Sequence, residues 1–345
     1  LNLEGKRILV TGGTGSLGQV LVRRLLRGEM GRPAKIVVFS RDEAKQHYMR
    51  LDFQQRTSAT DDIIYENSRE CLNFRIGDVR DYSSLLGAVR DTDVVFHAAA
   101  LKQVPTCEYF PYEAVMTNVS GPNNLVRAIR ENDTPVELVV GISTDKACKP
   151  INVMGMTKAL QERILLEASL GSRRTRFLCV RYGNVIASRG SVVPLFVDQI
   201  RRGGPVTITV KEMTRFLLSL DRAVDTIFSA VREGESGETY IPKVPAARVV
   251  DVATALMHGR RVPVVYTGVR PGEKLHEIMV SEEERFRTIE RNGYFVILPI
   301  LPELRAAASI EPALDREYSS EFDNVTIDEL TALLKEASSE IELFA

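Results

Sequence analysis

The chain has 345 residues, of which 44% are hydrophobic and 26% charged, with a net charge of −1. That balance suits a soluble globular protein with one large domain or two unequal ones, and it speaks against a disordered chain or nucleic acid as the default partner. No apolar run approaches the ~20 residues that span a bilayer, and the four cysteines (Cys71, Cys107, Cys148, Cys179) have no CxxC spacing, so no metal site is expected. Free thiols and a strand pattern starting at the N-terminus, with no signal peptide, give the expectation of a cytoplasmic protein.

In chain order, residues 6–10 are a β-branched run. They lead into TGGTGSLG (11–18) and a helical pattern over 19–26 with Val20, Leu21, Leu25 and Leu26 on its apolar face. Strand, glycine loop and helix are the context of a dinucleotide-binding turn. Gly12 permits the tight turn, Gly15 lets backbone approach a pyrophosphate, and Gly18 lets the helix pack. Thr14, Ser16 and Leu17 complete the loop, where unpaired N–H groups of the helix start face the phosphates.

A second strand, 35–39, runs into Ser40, Arg41 and Asp42, with Lys45 one turn further on. A carboxylate at such a tip binds the ribose 2′-hydroxyl of NAD, whereas an arginine pairs with the 2′-phosphate of NADP. Ser40, Arg41 and Lys45 point to NADP; the alternative is that Arg41 is a solvated loop residue. Residues 46–71 read as helix and then loop. A third strand, 72–76, ends at Asp78 and Val79, which suit the adenine amino group and a second backbone contact. Asp81 caps a helix to residue 88. The fourth strand, 94–96, enters His97, Ala98, Ala99 and Ala100, small residues that admit a flat ligand. His97 is either catalytic or packed at the strand end, and Lys102 in the next loop can reach the site mouth.

Residues 113–131 read as a long helix broken at Gly121-Pro122. Asn118 within it is either exposed, or buried and then paired with a water or a kinked backbone. A buried strand over 136–142 leads through STDKACKP (143–150) to a helical pattern over 157–170. Its hydroxyls, carboxylate and lysines thus lie just past a strand end, where open α/β sheets place ligands. With a further strand at 175–180, the alternation predicts a Rossmann-like, doubly wound parallel sheet. Beyond residue 185 it becomes irregular: helices at 188–202, 221–231, 249–257 and 326–337, short strands at 206–209 and 239–241, a strand after 213–216, and a loop at 270–274 that closes over a ligand. Residues 282–291 read as exposed and 298–313 show no pattern. The expected division is a cofactor-binding domain, 1–185, and a smaller substrate-binding lobe, 186–345, partly interleaved with it.

On Gly12, Gly15, Gly18, Asp78, residues 97–100, Asn118 and Lys158, the chain resembles the extended short-chain dehydrogenase/reductase superfamily. The stretches FSRDE (39–43), HAAALKQVP (97–105), STDKA (143–147), RYGNV (181–185), SRGSVVPLF (188–196), MTRF (213–216) and RPGEK (270–274) narrow the resemblance. They are similar to the sugar-nucleotide dehydratases of polysaccharide biosynthesis, and most to the inverting UDP-N-acetylglucosamine 4,6-dehydratases.

That resemblance implies hydride loss from C4 to the nicotinamide, removal of the acidified C5 proton, departure of the C6 hydroxyl as water, hydride return to C6, and reprotonation of C5 from the opposite face. It implies Asp145 as acid at the C6 hydroxyl and Lys146 as base at C5. Asp145 would then be kept neutral by burial, and Lys146 deprotonated by desolvation or by a cation such as Lys149 or Lys158. Met154 stands where reductases carry tyrosine, one turn before Lys158, which holds the cofactor ribose. A branch of these dehydratases also has methionine there. A thioether cannot take a proton, so the C4 base is Asp145, Thr144 through a water, or Lys158, with Asp145 preferred. Asn184, Ser191, Arg215, Arg270 and Glu273 are the implied nucleotide-sugar contacts, with Lys102 at the mouth. Competing readings are a UDP-N-acetylglucosamine or UDP-glucose 4-epimerase and a non-catalytic NADP-binding regulatory protein. Proteins of this type are usually oligomeric, so a homo-oligomer is expected.

Overall fold

The structure, a computed structural model, describes residues 1–54, 71–172, 174–186, 191–305 and 310–336. Six strands from the first 180 residues form the body of the central sheet: β1 (Arg7–Thr11), β2 (Lys35–Ser40), β3 (Leu72–Ile76), β4 (Val94–His97), β5 (Leu138–Ile142) and β6 (Arg176–Val180). They are all parallel and lie in the order β3-β2-β1-β4-β5-β6. The order reverses between β1 and β4, which opens a crevice at the carboxyl ends of the strands. The doubly wound, Rossmann-like architecture expected from the alternation is therefore present.

Successive side chains in these strands go to opposite faces, as a period of two requires. Ile8, Val10, Leu138 and Val140 join one apolar cluster with Leu21 and Leu25 of the helix Ser16–Leu26 and Ile227 of the helix Leu220–Glu233. Leu9 and Val139 join the other, with Leu85, Leu125 and Leu165 from the helices Tyr82–Val89, Gly121–Glu131 and Val153–Glu167.

After β6 the chain leaves the sheet and returns. β7 (Asn184–Val185) and β9 (Thr214–Leu218) pair in parallel, and β8 (Val206–Ile208) lies outside that pair. β10 (Thr239–Pro242) then adds in parallel beside β6. β11 (Ala246–Arg248) joins β9, β12 (Val264–Tyr266) pairs with β8, and β13 (Ile278–Val280) awaits a later partner. β14 (Thr288–Arg291) and β15 (Tyr294–Ile297) extend the central sheet antiparallel from β10, and β16 (Tyr318–Ser319) pairs with β13. A separate apolar cluster, with Phe196, Ile208, Leu217, Val252 and Leu330, is built from residue 186 onward.

Four readings need correction. The helix expected from 157 begins at Val153, because Asn152 accepts from the Gly155 N–H at 2.7 Å and caps it earlier. The long helix is not broken at Gly121-Pro122, where Gly121 has a helical φ of −57°. It instead widens into a π turn over Met116–Ser120. The stretch 213–216 runs into β9 rather than preceding it. The stretch 282–291 is not simply exposed: Ser281 and Glu284 form a capping box, and Thr288 is fully buried in β14. The loop part of 55–70, the helix start at 188–190 and the helix end at 337 lie outside the described residues. Among the described residues, no helix is long and apolar enough to cross a membrane.

Candidate active site

A cleft of ≈ 830 Å³ opens at the carboxyl ends of the parallel strands, between them and the segments beyond residue 186. Its far end is the glycine turn. Gly12 has a φ of 68°, and a Cβ on it would meet the Ala99 backbone nitrogen at 2.7 Å, so the turn and the loop after β4 abut. Gly15 precedes the helix Ser16–Leu26, and no side chain caps that helix start. Ser16 and Leu17 thus present first-turn N–H groups in the cleft wall beside Thr14. A Cβ on Gly18 would lie 2.5 Å from Gly13 Cα, so the helix packs on the turn itself. This open N-terminus and glycine cradle fit a pyrophosphate.

At the tip of β2, Ser40 Oγ accepts from Gln46 Nε2 at 3.0 Å. Arg41 is half-exposed, with Nη1 3.6 Å from Asp78 Oδ2. Lys45 Nζ lies 2.6 Å from Asp42 Oδ2, and its hydrogen bonds hold the exposed Asp42 carboxyl below the usual range. Asp78 is gripped by Arg80, whose Nη2 is 2.7 Å from Oδ2. Burial opposes ionisation of Asp78, but Arg80 outweighs it and keeps the carboxyl below its ordinary pKa. Val79, Ala98 and Ala99 line the adjoining wall.

His97 is fully buried and packed at the end of β4, where its Nδ1 shares a hydrogen bond with Thr11 Oγ1 at 3.0 Å. Burial, with Lys158 nearby, lowers its pKa to about 3, so the ring is neutral. Asn118 is also fully buried. Its Oδ1 accepts from the Leu101 N–H at 2.8 Å, and its Nδ2 donates to Leu101 O at 2.9 Å and Thr157 Oγ1 at 3.0 Å. The π turn delivers this side chain, which clamps the loop carrying Lys102 to the helix carrying Met154 and Lys158.

The centre of the cleft is the turn after β5. Asp145 is fully buried: Oδ1 accepts from Thr144 Oγ1 at 2.9 Å and from Lys146 Nζ at 3.1 Å, while Oδ2 has no hydrogen-bond partner among the described residues. Burial raises the Asp145 carboxyl, and Lys146 pulls the other way, so the direction expected for an acid is present. Lys146 differs from expectation. Burial disfavours its charge, but Asp145 and a second carboxylate, Glu277 at 3.1 Å, outweigh burial and raise its pKa. Nor do the expected cations face it: Lys149 pairs with Glu317 at 2.6 Å, and Lys158 Nζ donates to Ile142 O at 2.5 Å and Gln161 Oε1 at 2.7 Å. Burial lowers Lys158 to about 8. Met154 is buried one turn before it, against Cys107 and Ala114.

The opposite wall comes from beyond residue 180. Asn184 Oδ1 and Glu273 Oε2 are buried without protein partners among the described residues. Ser191 Oγ donates to Ile186 O at 3.1 Å. Arg215 Nη1 donates to Thr214 O at 2.7 Å and Leu275 O at 3.1 Å. Arg270 is half-exposed, 3.9 Å from Glu273. Gly272, with a φ of 79°, accepts from Asn152 Nδ2 at 2.7 Å, which ties the 270–274 loop to the helix cap. Lys102 lies at the rim. Sequence reasoning missed Glu277, Asn152, Arg80 and Lys274, whose Nζ donates to Cys148 O at 2.5 Å. Lys274 is the last residue of the RPGEK stretch and Glu277 lies three residues beyond it, so that stretch could have flagged these two. Arg181 of RYGNV is away from the cleft, buried between Glu162 and Glu284 at 2.6 and 2.7 Å.

The sequence profile of a family described as polysaccharide biosynthesis protein matches residues 8–299. The chain belongs to this family. A relative named UDP-glucose 4-epimerase, from Rickettsia akari, is 44% identical over 297 residues, covering 85% of this chain and 82% of its own. One named UDP-N-acetylglucosamine 4,6-dehydratase (inverting), from Campylobacter jejuni, is 41% identical over 299 residues, covering 86% and 84%. Among solved structures, Pen from Bacillus thuringiensis is 31% identical with a TM-score of 0.86, over 98% of this chain and 99% of that one. The dTDP-glucose 4,6-dehydratase DesIV from Streptomyces venezuelae, solved with NAD, has a TM-score of 0.65 at 21% identity over 78% and 86%; at that identity it shares the fold.

Proposed function

We propose that the chain is a sugar-nucleotide-modifying enzyme, an NADP-dependent lyase that dehydrates UDP-N-acetylglucosamine to a 6-deoxy-4-keto product with inversion at C5. The observation that carries this reading is the Asp145–Lys146 pair in the cleft, with Asp145 Oδ2 lacking a protein partner among the described residues and a thioether, Met154, where a reductase tyrosine would stand. The inverting dehydratase from Campylobacter jejuni supports it.

When bound, the nicotinamide would supply the hydride chemistry that the sugar needs at C4 and C6. Gly12, Gly15 and Gly18 would admit the pyrophosphate, Asp78 and Val79 the adenine, and Lys158 the ribose. Ser40, Arg41 and Lys45 would hold the 2′-phosphate; Asp42, which would favour NAD, is engaged by Lys45. Asp145 takes the C4 hydroxyl proton and passes the same proton to the departing C6 oxygen, and burial favours the neutral form it reaches between the two. Lys146 must shed a proton before it takes one from C5; with Asp145 carrying the C4 proton, Glu277 Oε1, 3.1 Å from Nζ, is the acceptor. Asn184, Ser191, Arg215, Arg270 and Glu273 bind the nucleotide sugar. A cytoplasmic setting is supported by four free cysteines. A homo-oligomer is supported by the exposed Met156 and Leu160, one turn apart on one helix.

A 4-epimerase is the second reading, favoured by the name of the Rickettsia akari relative. Incubation with UDP-N-acetylglucosamine in deuterated water, followed by NMR, separates the two. A 6-deoxy-4-keto sugar with deuterium at an inverted C5 is expected. Formation of UDP-N-acetylgalactosamine alone would establish the epimerase instead, and no turnover of any UDP-hexose would leave a non-catalytic binder.

A further inference from the structure

Glu277 belongs to none of the motifs that mark the site, yet it contacts the residue read as the C5 base. Its side chain is almost fully buried in the cleft wall. Its Oε1 lies 3.1 Å from Lys146 Nζ, so the ammonium is held between two carboxylates at equal distance, Asp145 and Glu277. Its Oε2 is buried with no hydrogen-bond partner among the described residues.

Both backbone groups of Glu277 are held by Ser320. Its N–H donates to Ser320 Oγ at 2.9 Å, and its carbonyl accepts from the Ser320 N–H at 2.8 Å. Ser320 is fully buried, and its hydroxyl shares a hydrogen bond with Thr214 Oγ1 at 2.8 Å. Thr214, Glu277 and Ser320 thus form one scaffold from three distant segments, and that scaffold aligns a carboxylate with a lysine after β5. A surface ion pair would not need such anchoring.

We infer that Glu277 is a positioning residue for Lys146, holding Nζ beside Asp145 and setting the pH at which the lysine gives up its proton. This rests on the reading of Lys146 as the C5 base. The charged groups that bear on the arrangement are Asp145, Arg215 with Nε at 3.8 Å from Glu277, and Lys274; His276 is turned to Thr214. Glu277 favours the charged lysine, whereas Arg215 opposes it. Without the Glu277 charge, the balance moves toward the neutral amine. The same carboxylate is a proton acceptor within reach when substrate displaces the lysine proton, and that transfer leaves the net charge of the pair unchanged.

The test uses Glu277→Gln, which keeps shape and removes charge, and Glu277→Asp, which keeps charge and shortens reach. Two readouts are taken on the full chain. The first is NMR titration of lysine-labelled protein, with the Lys146 signal assigned by its loss in Lys146→Arg. The second is the pH profile of kcat/KM for dehydration of UDP-N-acetylglucosamine. In Glu277→Gln, the Lys146 titration and the acid limb of the profile both move to lower pH by about one unit or more. In Glu277→Asp, the limb stays near its wild-type position while kcat falls roughly tenfold or more. A Glu277→Gln protein that is folded but titrates Lys146 as wild type does would overturn the inference. If wild-type protein fails to dehydrate the substrate while the NMR titration still shifts, the functional reading fails and the Glu277–Lys146 coupling stands.

Discussion

Asn118→Ala is the most informative test of how the fold builds its site. The side chain has no solvent exposure and makes three hydrogen bonds, to both backbone groups of Leu101 and to Thr157 Oγ1. Thr157 keeps a partner in the truncated protein, since its hydroxyl donates to Met154 O at 2.9 Å. The Leu101 N–H has no such substitute among the described residues and loses its acceptor. Three lost bonds at about 1 kcal/mol each, plus about 1–3 kcal/mol for the desolvation of one orphaned amide, give about 4–6 kcal/mol. Urea unfolding followed by far-UV circular dichroism measures this directly. Asn118→Asp keeps the acceptor toward Leu101 but, once ionised, cannot donate to Leu101 O or Thr157, so it is expected to be at least as damaging near neutral pH. Loss of under about 1 kcal/mol in Asn118→Ala would refute the view that the π turn exists to deliver this clamp.

Other outcomes follow from the same geometry. Gly18→Ala forces a Cβ against Gly13 backbone, so it is expected to cost about 1–3 kcal/mol and to weaken dinucleotide retention, measured by calorimetry. Arg41→Ala should weaken NADP binding about tenfold while leaving NAD nearly unchanged; equal losses for both would remove Arg41 from the 2′-phosphate. Asp145→Asn should lower the elimination rate by about 10²–10⁴ with the fold intact, whereas Met154→Leu should keep most of it, both read by NMR. Lys158 falls from 10.5 to about 8 in the folded chain because burial disfavours its charge. Between those values the unfolded chain binds more protons, so this group makes stability rise with pH across that window. Urea midpoints at about pH 7.5 and about pH 9.5 should therefore diverge in wild type more than in Lys158→Met.

What could be read in advance was what is local along the chain. The glycine turn, the strand tips and the Asp145–Lys146 pair each lie within a few consecutive residues, so type and spacing identify them. Lys146 shows the limit. The expectation of a deprotonated lysine failed because Glu277 arrives from more than a hundred residues away, and no spacing reports it. Asp78 is gripped by an arginine only two residues on, yet that pairing depends on the turn conformation. The π turn was hidden because its residues fit an α-helical pattern equally well, and only burial of Asn118 gives it a purpose.

The return of the chain to the central sheet has a consequence during synthesis. When β6 leaves the ribosome its outer edge is unpaired, and its neighbour, Thr239–Pro242, has not been made. That strand in turn waits for Tyr294–Ile297 to cover it. At roughly 5–20 residues per second the growing chain carries a bare, apolar edge for several seconds. A fragment ending at residue 186 would carry that edge permanently. It is expected to self-associate through it, as light scattering on the purified fragment would show, while the full chain closes the edge with its own later strands.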